Sequence, residues 1–280
     1  MEEEYSVSLL EQKVNALDII KSESTILPKS KIRVAMLQIE DRDDPFFNWC
    51  MNLNRQYCEK HDIDYIYFHS GPNYIPPYWW KVLVFLDLLN LKKHDIVCWM
   101  DSDAFVYNTK VDIREFFNES SRSMVIAPDP EGWGSKFMAA VYMAKNTVKS
   151  REIFTTWMSY YNDTKFKKMN DGKWKYIGGG AWAGTDYEQG SFAKYILPSS
   201  RLDIKSVPWY VFHETNCSIP HTDCWSIHLP GAIKQLRSAC IIDESYRRRF
   251  RHINPSTYII ILLVIILLLI LGIYFMIAKR

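Results

Sequence analysis

The stretch CWMDSDAFVYN, residues 98–108, places two carboxylates directly after an apolar run. The run DIVCWM (95–100) predicts a strand buried in a sheet, with Asp101 and Asp103 just past its end. Ligands of open α/β sheets bind beyond the carboxyl ends of the strands. Two carboxylates at this edge can hold a divalent cation, which can in turn hold a diphosphate. The alternative is a surface turn, but the apolar residues on both sides favour a half-buried site where carboxylates need a cation or donors.

Apolar runs alternate with helical patterns outward from this stretch. The predicted strands are residues 32–39, 64–68, 95–100, 123–128 and 137–144. The predicted helices are residues 46–60, 79–91 and 150–161. Such alternation predicts an α/β fold with helices packed around a largely parallel sheet.

The composition excludes several classes of protein. The chain has 280 residues, of which 48% are hydrophobic and 24% charged, which is typical of a globular protein and not of a disordered one. Its net charge of +2 gives no reason to expect nucleic acid as a partner. The 6 cysteines are too sparse for a disulfide framework, and their spacing includes no Cys-x-x-Cys pair that would indicate zinc.

The most apolar segment, residues 258–278, contains no charged residue. Its length matches the roughly 20 residues that a helix needs to cross a bilayer core. It therefore predicts a single transmembrane helix that makes the lipid bilayer a partner. The predicted organisation is a peripheral helix in residues 1–30, a main domain in 31–246, a basic linker in 247–257 and the membrane helix in 258–278.

The charges around this segment predict its orientation. The basic linker lies on the side of the main domain, which the positive-inside rule assigns to the cytoplasm. The N-terminus begins MEEEYS and shows no signal peptide. We therefore expect a tail-anchored protein with a cytosolic domain and free thiols. Three glycosylation sequons, at Asn118, Asn162 and Asn216, would matter only if the domain faced a lumen.

Two further motifs carry candidate chemistry. In HLPGAIK, His228 can complete a manganese site, Gly231 allows close approach of a phosphate, and Lys234 adds a positive charge. The alternative for His228 is a solvated loop histidine.

In TDYEQGSFAKYI, the polar side chains Asp186, Glu188 and Gln189 precede a helical pattern. They can face a sugar ring and stabilise positive charge at its anomeric carbon. The alternative is that the carboxylates only cap the helix.

Together these motifs resemble retaining glycosyltransferases of the GT-A fold, most closely family 34, the galactosyl-, xylosyl- and mannosyltransferases of fungi and plants. The resemblance covers roughly residues 34–234. The matching segments, in order, are NRQYCEKHDIDY (54–65), PPYWWKVLVFLDLL (76–89), WMDSDAFVYN (99–108), EQG (188–190) and HLPG (228–231). It implies a GT-A, Rossmann-like nucleotide-diphospho-sugar transferase domain.

The resemblance also implies ligands for a cation and a diphosphate. Asp101 would lie near the ribose and the metal, with Asp103 and His228 as metal ligands. Gly231 and Lys234 would contact the diphosphate. The implied cofactors are Mn²⁺, or Mg²⁺, and a nucleotide-sugar donor, with a UDP-sugar favoured.

Other positions would contact the donor. Lys81 matches a basic position on the donor sugar or phosphate, and its alternative is a lysine extended to solvent from an amphipathic helix. Glu188 and Gln189 match the acid and amide beside the anomeric carbon, and Gln38 would lie near the nucleobase. The chain departs from the family where KFMAA (136–140) replaces an Asn-Thr/Ala-Gly pattern and where Tyr187-Glu188 replaces Asp-Asp.

The sequence thus predicts a metal-dependent retaining enzyme that transfers a hexose or pentose to a glycan or glycoprotein acceptor. Retention would follow front-face attack, because no residue clearly serves as the nucleophile of a double displacement. Two other classes remain open. One is a non-catalytic sugar- or nucleotide-binding membrane protein of the same fold, and the other is a nucleotide-sugar hydrolase or nucleotidyltransferase.

Overall fold

The computed structural model describes residues 32–118, 120–181 and 183–242. The predicted helix in residues 1–30, the basic linker 247–257 and the membrane segment 258–278 lie outside the described residues. Within the described ranges, no helix is long and apolar enough to cross a membrane. Contacts divide the chain into two units, Met1–Lys234 and Gln235–Arg280. All the strands and α-helices named below belong to the first unit.

A six-stranded sheet forms the centre of the first unit. Its strands and those of two small ribbons are β1 Val34–Ile39, β2 Asp64–Phe68, β3 Ile96–Met100, β4 Ala104–Val106, β5 Met124–Ile126, β6 Val141–Lys145, β7 Phe166–Lys168, β8 Trp174–Tyr176, β9 Ile204–Ser206 and β10 Ser226–His228. The sheet order is β2-β1-β3-β6-β5-β9, and the ribbons are β10-β4 and β7-β8. Within the sheet, β6 runs antiparallel to β3 and β5, whereas the other pairs are parallel. The predicted α/β fold is confirmed, with a mixed sheet in which one strand is reversed.

Three longer helices cover the sheet, and short ones follow. Their bounds are α1 Pro45–Lys60, α2 Pro77–Asn90, α3 Val148–Met158, α4 Glu188–Ser191, α5 Leu197–Ser199 and α6 Trp209–Phe212. The Asp44 carboxylate accepts from the Phe46 backbone N–H at 2.8 Å, and this cap begins α1. The Thr147 hydroxyl accepts from the Ser150 N–H at 3.1 Å and begins α3. These caps, and Pro77 at the start of α2, explain why the helices begin one to two residues before the predicted positions.

The two faces of the sheet bury separate cores. Alternate residues of β1 divide between them, with Ala35 and Leu37 on one face and Val34 and Met36 on the other. The first core packs α2 and α3 against the sheet, and the second packs α1 and the β4–β10 ribbon. A sheet covered on both faces needs strands that are largely apolar, which explains the composition of β3 and of β1, where Gln38 is the polar exception.

The predicted strand 137–144 is wrong in its first half. Residues 137–140 are buried, but they form a loop that ends in a turn just before β6. Their backbone hydrogen bonds do not follow the regular pattern of paired strands. The Met138 N–H donates to the Ala127 carbonyl at 3.0 Å, and the Ala140 carbonyl accepts from the Asp101 N–H at 2.7 Å. An apolar run thus predicted burial correctly, but not pairing.

The cysteines divide into two groups. Cys50, Cys58, Cys98 and Cys224 form no disulfide, as predicted, and all four are buried. Cys217 and Cys240 are disulfide-bonded, so the prediction of free thiols is wrong for these two.

Candidate active site

The turn between β3 and β4 carries both aspartates of the Asp-x-Asp motif. It is closed by the Ala104 N–H, which donates to the Asp101 carbonyl at 3.0 Å, and is joined to the loop before β6 by the Asp101 N–H. The Gln38 amide, at the end of β1, also donates to the Asp101 carbonyl at 3.0 Å. Asp101 is therefore fixed through its backbone at the carboxyl edge of two adjacent parallel strands.

A buried amide network lies beneath this turn. The Gln38 carbonyl accepts from the Tyr65 hydroxyl at 2.6 Å and from the Asn54 amide at 3.2 Å. Asn54 of α1 also donates to the Ala104 carbonyl and accepts from the Val106 N–H, each at 2.9 Å. Both amide side chains are fully buried. The structure thus places Gln38 below the site as a support for the turn, while its predicted contact with a nucleobase stays a prediction.

Lys81 joins the site from α2. Its Nζ lies 2.8 Å from Asp101 Oδ1, 3.2 Å from the Ala139 carbonyl and 3.7 Å from Glu188 Oε1. The side chain is 11% exposed, which excludes a lysine extended to solvent. Burial lowers the pKa of Lys81, but the carboxylates of Asp101 and Glu188 outweigh that effect, and the net pKa is raised. Lys81 is therefore a permanent positive charge within the site.

Glu188 opens α4 and is buried beside that lysine. Burial raises the pKa of Glu188, and Lys81 opposes the shift. Its carbonyl accepts from the Trp157 indole at 2.9 Å. Two positions later, a Cβ at Gly190 would lie 2.2 Å from the Gly184 carbonyl oxygen, so the small residue of the EQG motif is required by packing.

Gln189 is held between two partners. Its Oε1 accepts from the Ala139 N–H at 3.1 Å, and its Nε2 donates to Asp129 Oδ1 at 3.4 Å. Burial raises the pKa of Asp129 to about 6.

Asp186, the third polar residue of this motif, has another partner: its carboxylate accepts from the Tyr176 hydroxyl at 2.6 Å. The alternative of helix capping stays open. Tyr187 at the N-cap makes no side-chain cap, but Glu188 lies in the first turn, and backbone hydrogen bonds from Glu188 and Gln189 lower the pKa of its carboxyl.

Asp103 and His228 meet on the β4–β10 ribbon. In this antiparallel pair, His228 stands opposite Ala104. His228 Nε2 lies 3.3 Å from Asp103 Oδ1, and the Leu229 N–H donates to the Asp103 carbonyl at 2.9 Å. The His228 side chain is 5% exposed, so the alternative of a solvated loop histidine is excluded. Two short strands thus bring together residues that lie far apart in the sequence.

Asp101, Asp103 and His228 form a cluster that fits a metal ion. Each offers one ligand atom, and the three atoms lie within 4.8 Å of one another. Two carboxylate oxygens and one imidazole nitrogen suit Mn²⁺ and, less closely, Mg²⁺. The Lys81 charge balances one of the neighbouring carboxylates, so a divalent cation would bring the group close to neutrality.

The next two predicted site residues, Gly231 and Lys234, are not part of this cluster. They belong to the 3₁₀ segment Gly231–Leu236, which follows β10, and both are exposed. Within the described ranges, Lys234 makes no ion pair or hydrogen bond with the Asp–Asp–His group. Their predicted contact with a diphosphate stays a prediction.

The sequence analysis missed three side chains beside the site. The Trp99 indole donates to Asp101 Oδ1 at 2.6 Å, and its place in β3, two residues before Asp101, was a usable signal. Asn54 was recognisable as a polar residue on the apolar face of α1. His213 gave no signal: it is buried, both ring nitrogens lack a hydrogen-bond partner among the described residues, and its ring lies 5.8 Å from that of His228. Burial and, secondarily, His228 lower the pKa of His213.

A solved structure shares this fold. A glycosyltransferase involved in glycosylation of the major capsid of PBCV-1 is similar at a TM-score of 0.56 and 16% identity, over 75% of this chain and 99% of that one. This likeness shows a fold shared with a glycosyltransferase, in line with the predicted GT-A fold. No family model and no curated protein matches the sequence.

Two further structures are similar at lower scores. A mutant of the Drosophila β1,4-galactosyltransferase 7, in complex with manganese, UDP-Gal and xylobiose, has a TM-score of 0.41 and 10% identity, over 73% of this chain and 74% of that one. GlyE of Streptococcus pneumoniae TIGR4 has a TM-score of 0.36 and 14% identity, over 65% of this chain and 46% of that one. Scores this low support no inference about fold or chemistry.

Proposed function

We propose that the chain is a metal-dependent glycosyltransferase that moves a hexose or pentose from a nucleotide sugar, with a UDP-sugar favoured, to a glycan or glycoprotein. The observation that carries the proposal is the cluster of Asp101, Asp103 and His228 at the carboxyl edge of the sheet. Its place matches the edge where such folds bind nucleotides. The fold shared with the PBCV-1 glycosyltransferase supports the same class.

The residues around the cluster suit the departure of a nucleoside diphosphate. A divalent cation held by the cluster would supply Lewis-acid stabilisation of the negative charge on that leaving group. Lys81 holds Asp101 in place and contributes a fixed positive charge near the donor. Lys234, exposed on the segment after His228, is the second lysine that we assign to the diphosphate.

Glu188, Gln189 and Asp186 would lie beside the anomeric carbon of the donor. We infer a retaining reaction by front-face attack. The bond between the anomeric carbon and the phosphate oxygen breaks, and the acceptor oxygen forms a new bond to the same carbon. The acceptor hydroxyl proton passes to the leaving phosphate. Gln189 suits stabilisation of the oxocarbenium-like state, since Ala139 and Asp129 orient its amide.

The experiment is a nucleoside-diphosphate release assay on a panel of nucleotide sugars, with Mn²⁺ or with EDTA. Asp103→Ala should lower Mn²⁺-dependent turnover about a thousandfold, equivalent to about 4 kcal/mol of lost stabilisation. The control is Asp171→Ala, an exposed aspartate on the turn between β7 and β8, which should keep wild-type turnover. Near-wild-type turnover of Asp103→Ala would contradict the metal assignment. Nucleotide binding without release from any donor would instead favour a non-catalytic binding protein.

We also propose that residues 258–278 anchor the protein in a membrane with the domain on the cytosolic side. The proposal rests on the charges of the linker. The disulfide-bonded Cys217 and Cys240 favour an oxidising compartment instead. Asn118, Asn162 and Asn216 are all exposed, so their modification in cells reports the orientation directly. A loss of mass on treatment with an N-glycosidase would overturn the cytosolic assignment.

A further inference from the structure

Trp133 is the exposed tryptophan among the described residues. Its side chain is 44% exposed, and its ring makes no ring contact within the described ranges. Other tryptophans of the same ranges are used in the interior: Trp79, Trp157 and Trp225 are among the largest fully buried side chains. A large apolar ring that stays exposed to water does not contribute the favourable free energy that burial of such a side chain normally provides.

The backbone on both sides of this ring is built to present it. Gly132 and Gly134 have φ values of +88° and +89°, a region that favours glycine over any residue with a side chain. A Cβ at either position would meet nothing within 4 Å, so packing does not require these glycines. Their function in the fold is therefore conformational, and its effect is to turn the chain before and after Trp133.

The base of this loop is joined to the candidate active site. The Asp129 N–H donates to the Ser135 carbonyl at 3.1 Å, and the Ser135 N–H donates to Asp129 Oδ2 at 3.3 Å, which closes residues 129–135 into a compact loop. The other oxygen, Asp129 Oδ1, accepts from Gln189. Gln189 in turn binds the backbone of Ala139, whose carbonyl accepts from Lys81. The loop that carries Trp133 thus begins at the side chains that we place beside the donor sugar.

We propose that Trp133 is the platform for the acceptor, and that the acceptor unit bound there is a pyranose sugar. The C–H face of a pyranose is apolar, while its edge carries hydroxyls, so it suits a flat aromatic ring next to polar side chains. This inference rests on the proposed function, because the acceptor subsite must adjoin the anomeric carbon of the donor. The inference also makes the acceptor more specific: instead of any glycan or glycoprotein, it is a carbohydrate unit that stacks on the Trp133 ring.

The test uses the full-length chain and methyl glycosides of glucose, galactose, mannose and xylose as acceptor probes. Trp133→Ala should raise the KM for the accepted glycoside about tenfold, since an aromatic contact contributes about that factor. Trp133→Phe should keep most of the affinity. The KM for the donor and the slow release of diphosphate to water should stay within about twofold of the wild type, because the donor site is unchanged. The matched control is Tyr160→Ala, which removes another exposed ring, one that stacks on Tyr195.

Direct binding separates failure of this inference from failure of the proposed function. Saturation-transfer NMR with the same glycosides detects binding whether or not transfer occurs. Signals that Trp133→Ala abolishes, in a chain that releases no diphosphate from any donor, would support the sugar platform and reject the transferase. Equal signals from the wild type and Trp133→Ala, or signals from neither, would overturn the platform. A raised KM for the donor instead of the acceptor would also overturn it, and would place the ring against the nucleotide.

Discussion

The two aspartates of the site lie two residues apart and are held by different parts of the molecule. Asp101 belongs to the buried sheet, where Gln38 and Ala140 hold its backbone and Lys81 pairs with its carboxylate. Asp103 lies directly before β4 at the end of the β4–β10 ribbon, where its carboxylate is 3.3 Å from the imidazole of His228. One carboxylate therefore pairs with a lysine, and the other pairs with an imidazole, which is a side chain that can also bind a metal.

This difference indicates how the site tolerates its negative charge before a cation binds. Burying Asp101 and Glu188 together would be costly without a counter-charge, and Lys81 lies 2.8 Å from the first and 3.7 Å from the second. On the ribbon side, Asp103 instead lies beside the imidazole of His228, and both side chains can offer ligand atoms to a metal. We infer that the sheet side provides the fixed geometry and the ribbon side completes the coordination.

Lys81→Met should have the largest effect on stability. It would leave two carboxylates in the interior without their cation, which typically costs about 3–5 kcal/mol. A divalent cation can then replace part of the missing charge. We therefore expect the melting temperature of the variant to fall well below that of the wild type in EDTA, and to recover further than the wild type does when Mn²⁺ is added.

Lys145→Met is the matched control for this experiment. Lys145 donates to the Ser120 carbonyl at 2.6 Å and lies over the Phe117 ring, away from the carboxylates of the site. Its loss should not increase the stabilisation by Mn²⁺. If Lys81→Met were as stable as the wild type in EDTA, the counter-ion explanation of the sheet side would be wrong.

Asn54→Ala should disturb the junction between the two sides. Its amide bonds the backbone at both ends of β4, at Ala104 and Val106, and also reaches Gln38. Leaving these buried groups without partners typically costs about 1–3 kcal/mol. We expect a loss of stability of that size together with a lower kcat, because the turn carrying Asp101 and Asp103 loses its support.

Asn146→Ala distinguishes this effect from a general loss of stability. Asn146 bonds the carbonyls of Leu89 and His94, and these contacts lie outside the candidate site. Its loss should lower the melting temperature and leave kcat unchanged. An unchanged kcat in Asn54→Ala as well would show that the ribbon holds its place without the amide.

Long elements with a clear period were predictable, and short ones were not. Strands β1 to β3 and helices α1 to α3 follow the predicted runs, because burial on both sheet faces or on one helix face leaves a strong pattern. The three-residue strands β4 and β10 leave no period to detect. Their pairing depends on a contact between residues distant in sequence, and local propensity carries no information about it.

The site was predictable as a set of residue types but not as a set of contacts. Carboxylates after a strand and a histidine near the end of the domain indicated a metal cluster, and the structure brings Asp101, Asp103 and His228 together. The burial of Gln38 and its hydrogen bonds with Asp101, Asn54 and Tyr65 could not be predicted. They arise because α1 and β2 pack around β1. Lys81 was recognised, but its pairing with Asp101 depends on how α2 lies on the sheet.

Asp129→Asn should have the smallest effect on stability. It extends the comparison of Asp101 and Asp103 to a third carboxylate, which makes no ion pair within the described ranges. Burial raises the pKa of Asp129 from 3.8 to about 6, so the folded chain holds this proton more tightly than the unfolded chain does. Its ionisation therefore opposes folding, and the opposition grows as the pH rises from about 4 to 6. The asparagine cannot ionise, so the variant should gain stability over the wild type at pH 7.5 and lose that gain below pH 4. Because solvent screens a partly exposed group, we expect a gain of only about 1 kcal/mol, or about 2–4 °C for a chain of this size.

Thermal melts at pH 4 and pH 7.5 measure this difference between wild type and variant. Asp171→Asn is the matched control, because Asp171 is exposed and its change should shift both melts alike. Asparagine has one acceptor oxygen where Asp129 has two, so the variant loses a hydrogen bond from either Gln189 or Ser135. We expect kcat to fall modestly, while the cation affinity set by the Asp–Asp–His cluster is retained. An equal loss of stability at both pH values would mean that the hydrogen bonds of Asp129 outweigh its charge. The loop of Trp133 would then be held by those bonds alone.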